Sequence, residues 1–462
     1  MAVGSLEHAG KRAPGPRGAP LMGSALDFLR DFLGTSYRAM IEYGDVVRFV
    51  AGPPGLRSTI YGVFHPEGIQ RVLAGASERY GKAGDPIFEE LRWLLGDGLL
   101  TSEGERWRRQ KRLIQPLFTH KRVAGYVPVM ADEATALAKR WSEAAAGGEP
   151  VDLHAEMSRI TLRVVGRALF GSEVDEAIST LRATIPFLSE RAIRRGISPI
   201  RIPPTWPTLA NRRASLAQRR NYEIVEGLIA RRRGAPTGNG DLVTLLLEAQ
   251  DPEGGHGLDD TEVRDQALIF LLAGHETTAT ALTFALHLLG QHPEIQSRVH
   301  DEVDRVLGGR IPALDDVAAL GYTTMAIKEA MRLYPSAYAI GRVSTERDVI
   351  DGYEIPAGCT VFMSPWATHR HPTLWEEPER FDPERFTPER EAARHRYAYF
   401  PFGGGPRACI GAYFSMLESV VVTATVMQSY ELTSRPGPVP LFTGVTLRPA
   451  SEVPCDLAPR GR

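Results

Sequence analysis

Phe402-Gly403-Gly404-Gly405-Pro406-Arg407-Ala408-Cys409-Ile410-Gly411 is the stretch on which the reading of this 462-residue chain turns. Its glycines let the backbone turn tightly and leave amide N–H groups where a side chain would block them. The apolar run that follows, about Ile410–Ser429, reads as a helix. Cys409 is therefore expected at a helix N-terminus, where the dipole and unsatisfied N–H groups stabilise a thiolate. Three roles are open to such a residue. It can be an inert small apolar side chain, as most lone cysteines are. It can be a nucleophile, although no familiar Cys–His arrangement accompanies it. It can also be an axial iron ligand whose electron donation assists O–O cleavage.

Outward from this loop, the composition is that of an ordinary globular protein, with 43% hydrophobic and 24% charged residues. The formal net charge of -2 exerts no global pull on nucleic acid or membranes. Three cysteines, Cys359, Cys409 and Cys455, are too few for a disulfide framework and fit a reducing cytoplasm. Residues 1–20, rich in Gly, Pro and Arg, read as a flexible lead-in with neither signal peptide nor membrane anchor. Residues 21–462 read as a single domain, β-rich at about 44–65 and 340–365 and helical elsewhere. Val46–Val50 and Thr59–Val63 read as a hairpin. Asp132–Ala146, Asp152–Phe170 and Asn211 to about Arg233 read as helices, with Pro199, Pro203, Pro204 and Pro207 as breakers between the last two. Strand-like pieces are expected at Arg342–Ile350 and Thr360–Met363. Mainly α with a small β portion is the fold class.

The longest element starts at Asp259 or Thr261, has Glu262 in its first turn, and runs to Leu289 before His292-Pro293. At about thirty residues and a 1.5 Å rise it is long enough to cross a domain. It is apolar on most faces and so should be central. It carries Ala273-Gly274-His275-Glu276-Thr277-Thr278, an acid–Thr pair preceded by two small residues. A further helix ends in Glu329-Ala330-Met331-Arg332, whose charges share one face. Pro378-Glu379-Arg380-Phe381-Asp382-Pro383-Glu384-Arg385-Phe386 follows downstream.

Taken together these motifs resemble the cytochrome P450 family over about Gly44 to Leu447, nearly the whole chain. The ten-residue loop resembles that family's Phe-Gly-x-Gly-x-Arg-x-Cys-x-Gly ligand loop, and the acid–Thr helix resembles its oxygen-activation motif. The resemblance implies the cytochrome P450 fold, with its long central helix over haem b (iron protoporphyrin IX) and Cys409 as axial iron ligand in a loop that includes Phe402 and Gly403. It implies that Ala273 and Gly274 make room for dioxygen, with a local break in helical hydrogen bonding, while Thr277 and Glu276 deliver protons. Glu329, Arg332 and Arg385 become a buried structural network. Arg407, Arg342, Trp107 and Lys111 become propionate partners. Lys111 stands where the family more often has Arg, a point charge in place of a planar fork, so the contact can pass to Arg112.

The same resemblance implies a monooxygenase that acts on an apolar small molecule such as a terpenoid, polyketide or aromatic peptide. Peroxide-driven oxidation or oxidative coupling on the same fold is the alternative. Electrons are expected from NAD(P)H through a separate ferredoxin or flavodoxin-type donor and its reductase, since no flavin or nicotinamide fingerprint is present. The protein is expected to be a cytoplasmic monomer that binds no nucleic acid. Arg106, Arg108, Arg109, Lys111 and Arg112 suit either an acidic donor or a solvated helix face. By family analogy the substrate pocket draws on Gly84–Leu100, Phe187–Pro207, Leu271–Thr277, Ser336–Ile340 and Leu441–Thr443, apolar apart from Tyr338.

Overall fold

Alternating apolar residues build the sheet that carries the cysteine loop. Val46, Tyr61, Val63, Val361 and Met363 point to one core cluster, while Val47, Phe49 and Phe362 point to a second. Both faces of the sheet are thus covered. The expected hairpin forms as Val46–Ala51 against Ser58–Val63, in antiparallel register with Val47 opposite Gly62. Ser58–Val63 then pairs in parallel with Thr360–Met363, followed by Ile340–Ser344 and Tyr80–Gly81 to complete five strands. The computed structural model describes residues 10–171, 175–198, 202–234, 240–251 and 253–461. Residues 1–9 of the lead-in, Pro199 and part of the 187–207 pocket segment lie outside the described residues.

The chain forms two compact units. The first is Met1–Phe88, Tyr338–Glu379 and Arg394–Cys409; the second is Glu89–Ala337, Arg380–Ala393 and Ile410–Arg462. In the first unit Lys11 to Pro20 runs alongside the hairpin, and the Arg48 N–H donates to Pro14 O at 2.7 Å. The Arg342–Ile350 segment is two strands rather than one, Ile340–Ser344 and Asp348–Ile350. The Thr345 N–H leaves the ladder for Arg79 O at 2.8 Å, and the Asp348 carboxylate is held by Arg71 and by the Tyr80 hydroxyl at 2.7 Å.

The second unit is helical. Its long helix spans Asp260–Gln291, and Asp259 caps it by accepting the Glu262 N–H at 2.8 Å while Glu262 accepts the Asp259 N–H in return. This helix is long and apolar enough to cross a membrane, yet 83% of its most apolar window is buried in the protein. Phe284 stacks on Tyr334 with ring centroids 3.9 Å apart, which ties the helix to Gly321–Leu333. A Cβ at Gly290 would meet Ser434 N at 2.9 Å, so a glycine is needed where the helix meets the Tyr430–Ser434 strand.

His287, in the same helix, is buried, and burial pushes its pKa down to about 4. The unfolded chain therefore binds a proton at higher pH than the folded one. The stability this group contributes is present above about pH 6.5 and is lost as pH falls toward 4. Between about pH 7 and pH 5 the loss should be on the order of 2 kcal/mol. Thermal melts of the wild type and of His287→Gln over that range should diverge, with the variant flatter.

Candidate active site

In the first unit the cysteine loop is shaped by what surrounds its glycines. Gly403 and Gly405 have φ of 71° and 65°. A Cβ at Gly405 would lie 1.8 Å from Leu73 O, and one at Gly404 would lie 2.3 Å from Tyr397 Cε1. Only glycine fits either position. The Cys409 N–H closes the loop on Phe402 O at 2.9 Å. Gly405–Arg407 forms a single 3-10 turn, with Arg407 partly buried at its end.

The helix after the loop begins later than expected, at Ala412 with Gly411 as its cap. Cys409 is thus not in the first helical turn. Because the dipole effect fades within one turn, the loop's own amides are the nearer source of thiolate stabilisation. Cys409 is exposed, Cys359 is half-buried and Cys455 is buried, and no disulfide joins them. Burial pushes the Cys455 thiol up to about 11, so it stays protonated and inert. Arg342 is buried in the Ile340–Ser344 strand, and its Nη1 donates to Gly341 O at 2.7 Å.

A residue the sequence did not signal steadies the entry to this loop. His369 is fully buried, and its Nε2 accepts the Phe400 N–H at 3.0 Å. That bond fixes the proton on Nδ1 and sets the backbone two residues before Phe402. Nothing in the local pattern marks His369, because its partner lies 31 residues away.

The second unit carries the acid–Thr helix. From Glu262 to Gly290 every residue is buried except Arg264, Ala273, Gly274 and Thr277. The last three share one face, so an otherwise interior helix opens at the residues expected to face dioxygen. Gly274 also allows close packing, since a Cβ there would meet Val165 Cγ2 at 3.0 Å.

The helix runs without interruption of its span through this opening. The Thr277 hydroxyl donates to Ala273 O at 2.6 Å, which satisfies it locally without unwinding a turn. His275 is buried with Nδ1 2.8 Å from Leu271 O, and burial lowers its pKa, so it is neutral.

Glu276 is 7% exposed. Its Oε1 lies 3.9 Å from Arg448 Nε, while its Oε2 has no hydrogen-bond partner among the described residues. Arg448 belongs to the Leu441–Thr443/Leu447–Pro449 hairpin and covers the Phe442 ring at 4.4 Å. Thr280 Oγ1 donates to Leu447 O at 2.9 Å, and the Leu447 N–H donates to Ser336 O at 2.8 Å. The hairpin that presents Arg448 is thereby fastened to the long helix. Sequence reading missed Arg448, which is a long-range partner in a short terminal hairpin.

Glu329 and Arg332 meet as a bidentate pair at 2.7 and 2.8 Å with both side chains fully buried. Glu329 also accepts the Asp382 N–H at 3.0 Å and lies 3.3 Å from Arg385 Nε. Burial pushes the Glu329 carboxyl up; Arg332, Asp382 N–H and Arg385 pull it back. Trp107 and Lys111 sit one turn apart on Gly104–Ile114, with the Lys111 ammonium 5.2 Å from the Trp107 ring.

The neighbouring arginines are engaged with acids: Arg106 with Asp97, Arg108 with Glu105, Arg109 with Glu262, and Arg112 with Asp251. That favours the solvated-face reading of this cluster over a patch waiting for an acidic partner.

Each unit by itself thus presents chemistry that fits a haem: an exposed thiol on a glycine cradle and a buried arginine in one, and a helix opened by small residues in the other. Comparison with known proteins agrees. The family described as cytochrome P450 matches residues 13–451. Cyclooctat-9-en-7-ol 5-monooxygenase of Streptomyces melanosporofaciens is 37% identical, with 91% of this chain and 90% of that protein covered. Pentalenene oxygenase of Streptomyces avermitilis is 32% identical, with 93% of each covered. A solved structure titled "Crystal structure of cytochrome P450DA heme domain" superposes with a TM-score of 0.88 at 28% identity, covering 98% of both chains. This chain belongs to the cytochrome P450 family and is an oxidoreductase of the monooxygenase class, with haem as its cofactor.

Proposed function

We propose that this monooxygenase inserts one oxygen atom from dioxygen into an apolar terpenoid of specialised metabolism. The observation that carries the chemistry is the opening of the long buried helix at Ala273, Gly274 and Thr277, with the buried Glu276 beside it. Haem supplies the electron and oxygen chemistry when bound; Cys409 would hold its iron, and Arg342, Arg407, Trp107 and Lys111 would meet its propionates.

The remaining steps belong to the side chains. Ala273 and Gly274 leave room above the helix. The Thr277 hydroxyl, donating to Ala273 O, still has lone pairs to accept a proton-bearing water, and a rotation about one bond lets it donate instead. Glu276, steadied through Oε1 by Arg448, has Oε2 left to take up a proton and hand it on.

The substrate class rests on the relatives. Two similar proteins are named for the oxidation of cyclooctat-9-en-7-ol and pentalenene. We place the enzyme in the cytoplasm as a monomer served by a ferredoxin or flavodoxin-type donor. Its reducing surroundings fit the absence of a disulfide among the described cysteines.

The test is a panel of terpenoids, polyketides and aromatic peptides scored for a ligand-induced spin-state shift. Hits are then turned over with a ferredoxin, its reductase and labelled dioxygen. Terpenoids should shift the spectrum and gain one labelled oxygen. A response confined to peptides or polyketides, or a product without label, would overturn the reading.

A further inference from the structure

The N-terminal segment and the hairpin of the first unit enclose a second cavity, of about 410 Å³, that the monooxygenase reaction does not use. Four arginines line it. Arg12 and Arg17 come from the segment, and Arg48 and Arg57 come from the hairpin. Among the described residues no acid lines the cavity, and no ion pair joins a carboxylate to Arg12, Arg17, Arg48 or Arg57. Two of them have hydrogen-bond partners: Arg48 Nη2 donates to Thr59 Oγ1 at 3.4 Å and its side chain also bonds Tyr61, while Arg57 Nη2 donates to Pro20 O at 3.3 Å. A guanidinium carries five N–H donors, so most of this donor capacity is unspent.

The walls are fixed in place. The Arg48 N–H bonds Pro14 O at 2.7 Å, and the Ser24 N–H bonds Val50 O at 2.8 Å. A Cβ at Gly15 would fall 1.9 Å from Arg48 O, so the segment lies directly against the strand. A concavity lined by one sign of charge focuses its field and concentrates counter-ions. Guanidinium forks bind phosphate in bidentate fashion. The volume falls in the range of small-molecule sites, roughly 300–1,000 Å³. Arg12, Arg17 and Arg57 are exposed and Arg48 is half-buried, so a ligand can enter from water.

From these observations we propose that this cavity is an anion site for a phosphate-bearing ligand, with two arginines contributed by each wall. The ligand's phosphate can belong to a soluble metabolite or to a lipid headgroup; the chemistry of recognition is shared.

Calorimetry of the haem-loaded protein with pyrophosphate at low salt tests it. Wild type should bind, and rising sodium chloride should weaken the binding. Arg12→Ala with Arg48→Ala should weaken it by about tenfold or more. Arg17→Ala with Arg57→Ala is the second variant, and both should keep the wild-type haem spectrum and melting temperature. Arg219→Ala with Arg220→Ala, on the Leu209–Gly234 helix, should bind as wild type does.

Co-sedimentation with phosphatidylcholine vesicles, with and without phosphatidic acid, separates the two sources. Arginine-dependent binding to the acidic vesicles that pyrophosphate displaces identifies a headgroup, and pyrophosphate binding alone identifies a soluble ligand. Failure of wild type to bind pyrophosphate at millimolar concentration, or equal binding by the double variants, would overturn the proposal.

Discussion

Glu329→Ala should destabilise the protein by about 3–5 kcal/mol in denaturant melts, because it leaves the buried Arg332 without its carboxylate. In the wild type both side chains are fully buried and joined at 2.7 and 2.8 Å. The same carboxylate takes the Asp382 N–H and lies 3.3 Å from Arg385 Nε, so one deletion removes the acid that two arginines and a backbone N–H share. Replacing the pair together, Glu329→Met with Arg332→Met, should recover much of the loss, since a well-packed apolar pair of similar volume can substitute for a buried ion pair. The comparison pair is Lys328–Glu391, which is more exposed. There Lys328→Ala should cost under about 1 kcal/mol. A Glu329→Ala loss no larger than that would show that the network is not what holds this helix to Pro383–Phe386.

The second large effect is on coupling. Thr277→Ala should cut product formed per electron consumed by about tenfold or more, with electron consumption within about twofold of wild type. The hydroxyl sits on the one open face of a buried helix, and its removal leaves the Ala273 carbonyl without its side-chain donor. Thr277→Ser, which keeps the hydroxyl, should restore most of the coupling. Arg448→Leu should lose coupling through Glu276 rather than through Thr277, and Arg448→Lys should retain part of it. Reducing equivalents not found in product should be recovered as hydrogen peroxide. Full coupling in Thr277→Ala would remove this threonine from proton delivery and favour a peroxide-driven or coupling reaction.

What the sequence disclosed follows from how local each signal is. The long helix was legible because its cap, Asp259 with Glu262, and its terminator, His292-Pro293, lie beside it in the chain. The hairpin was legible through its alternation. The buried charge network was anticipated by resemblance, since spacing alone cannot separate a buried i,i+3 pair from a solvated one. Its burial is a tertiary fact, as is the covered face of the sheet. The start of the helix after Cys409 was placed too early because apolar residues begin at Ile410, whereas Gly411 sets the cap. Arg448 and His369 were not legible at all. Each acts on a partner far along the chain, at Glu276 and Phe400, and neither lies in a motif. The substrate loops were read only by analogy, and part of the 187–207 segment lies outside the described residues.

The central claim is that Cys409 gives this protein a haem-thiolate site. The carbon-monoxide difference spectrum of the reduced, haem-loaded protein tests it most directly. A far-red-shifted Soret band in the wild type, lost in Cys409→Ala while the Cys455→Ala protein keeps it, is the predicted result. A wild-type spectrum without that band, or a band that survives Cys409→Ala, would contradict it.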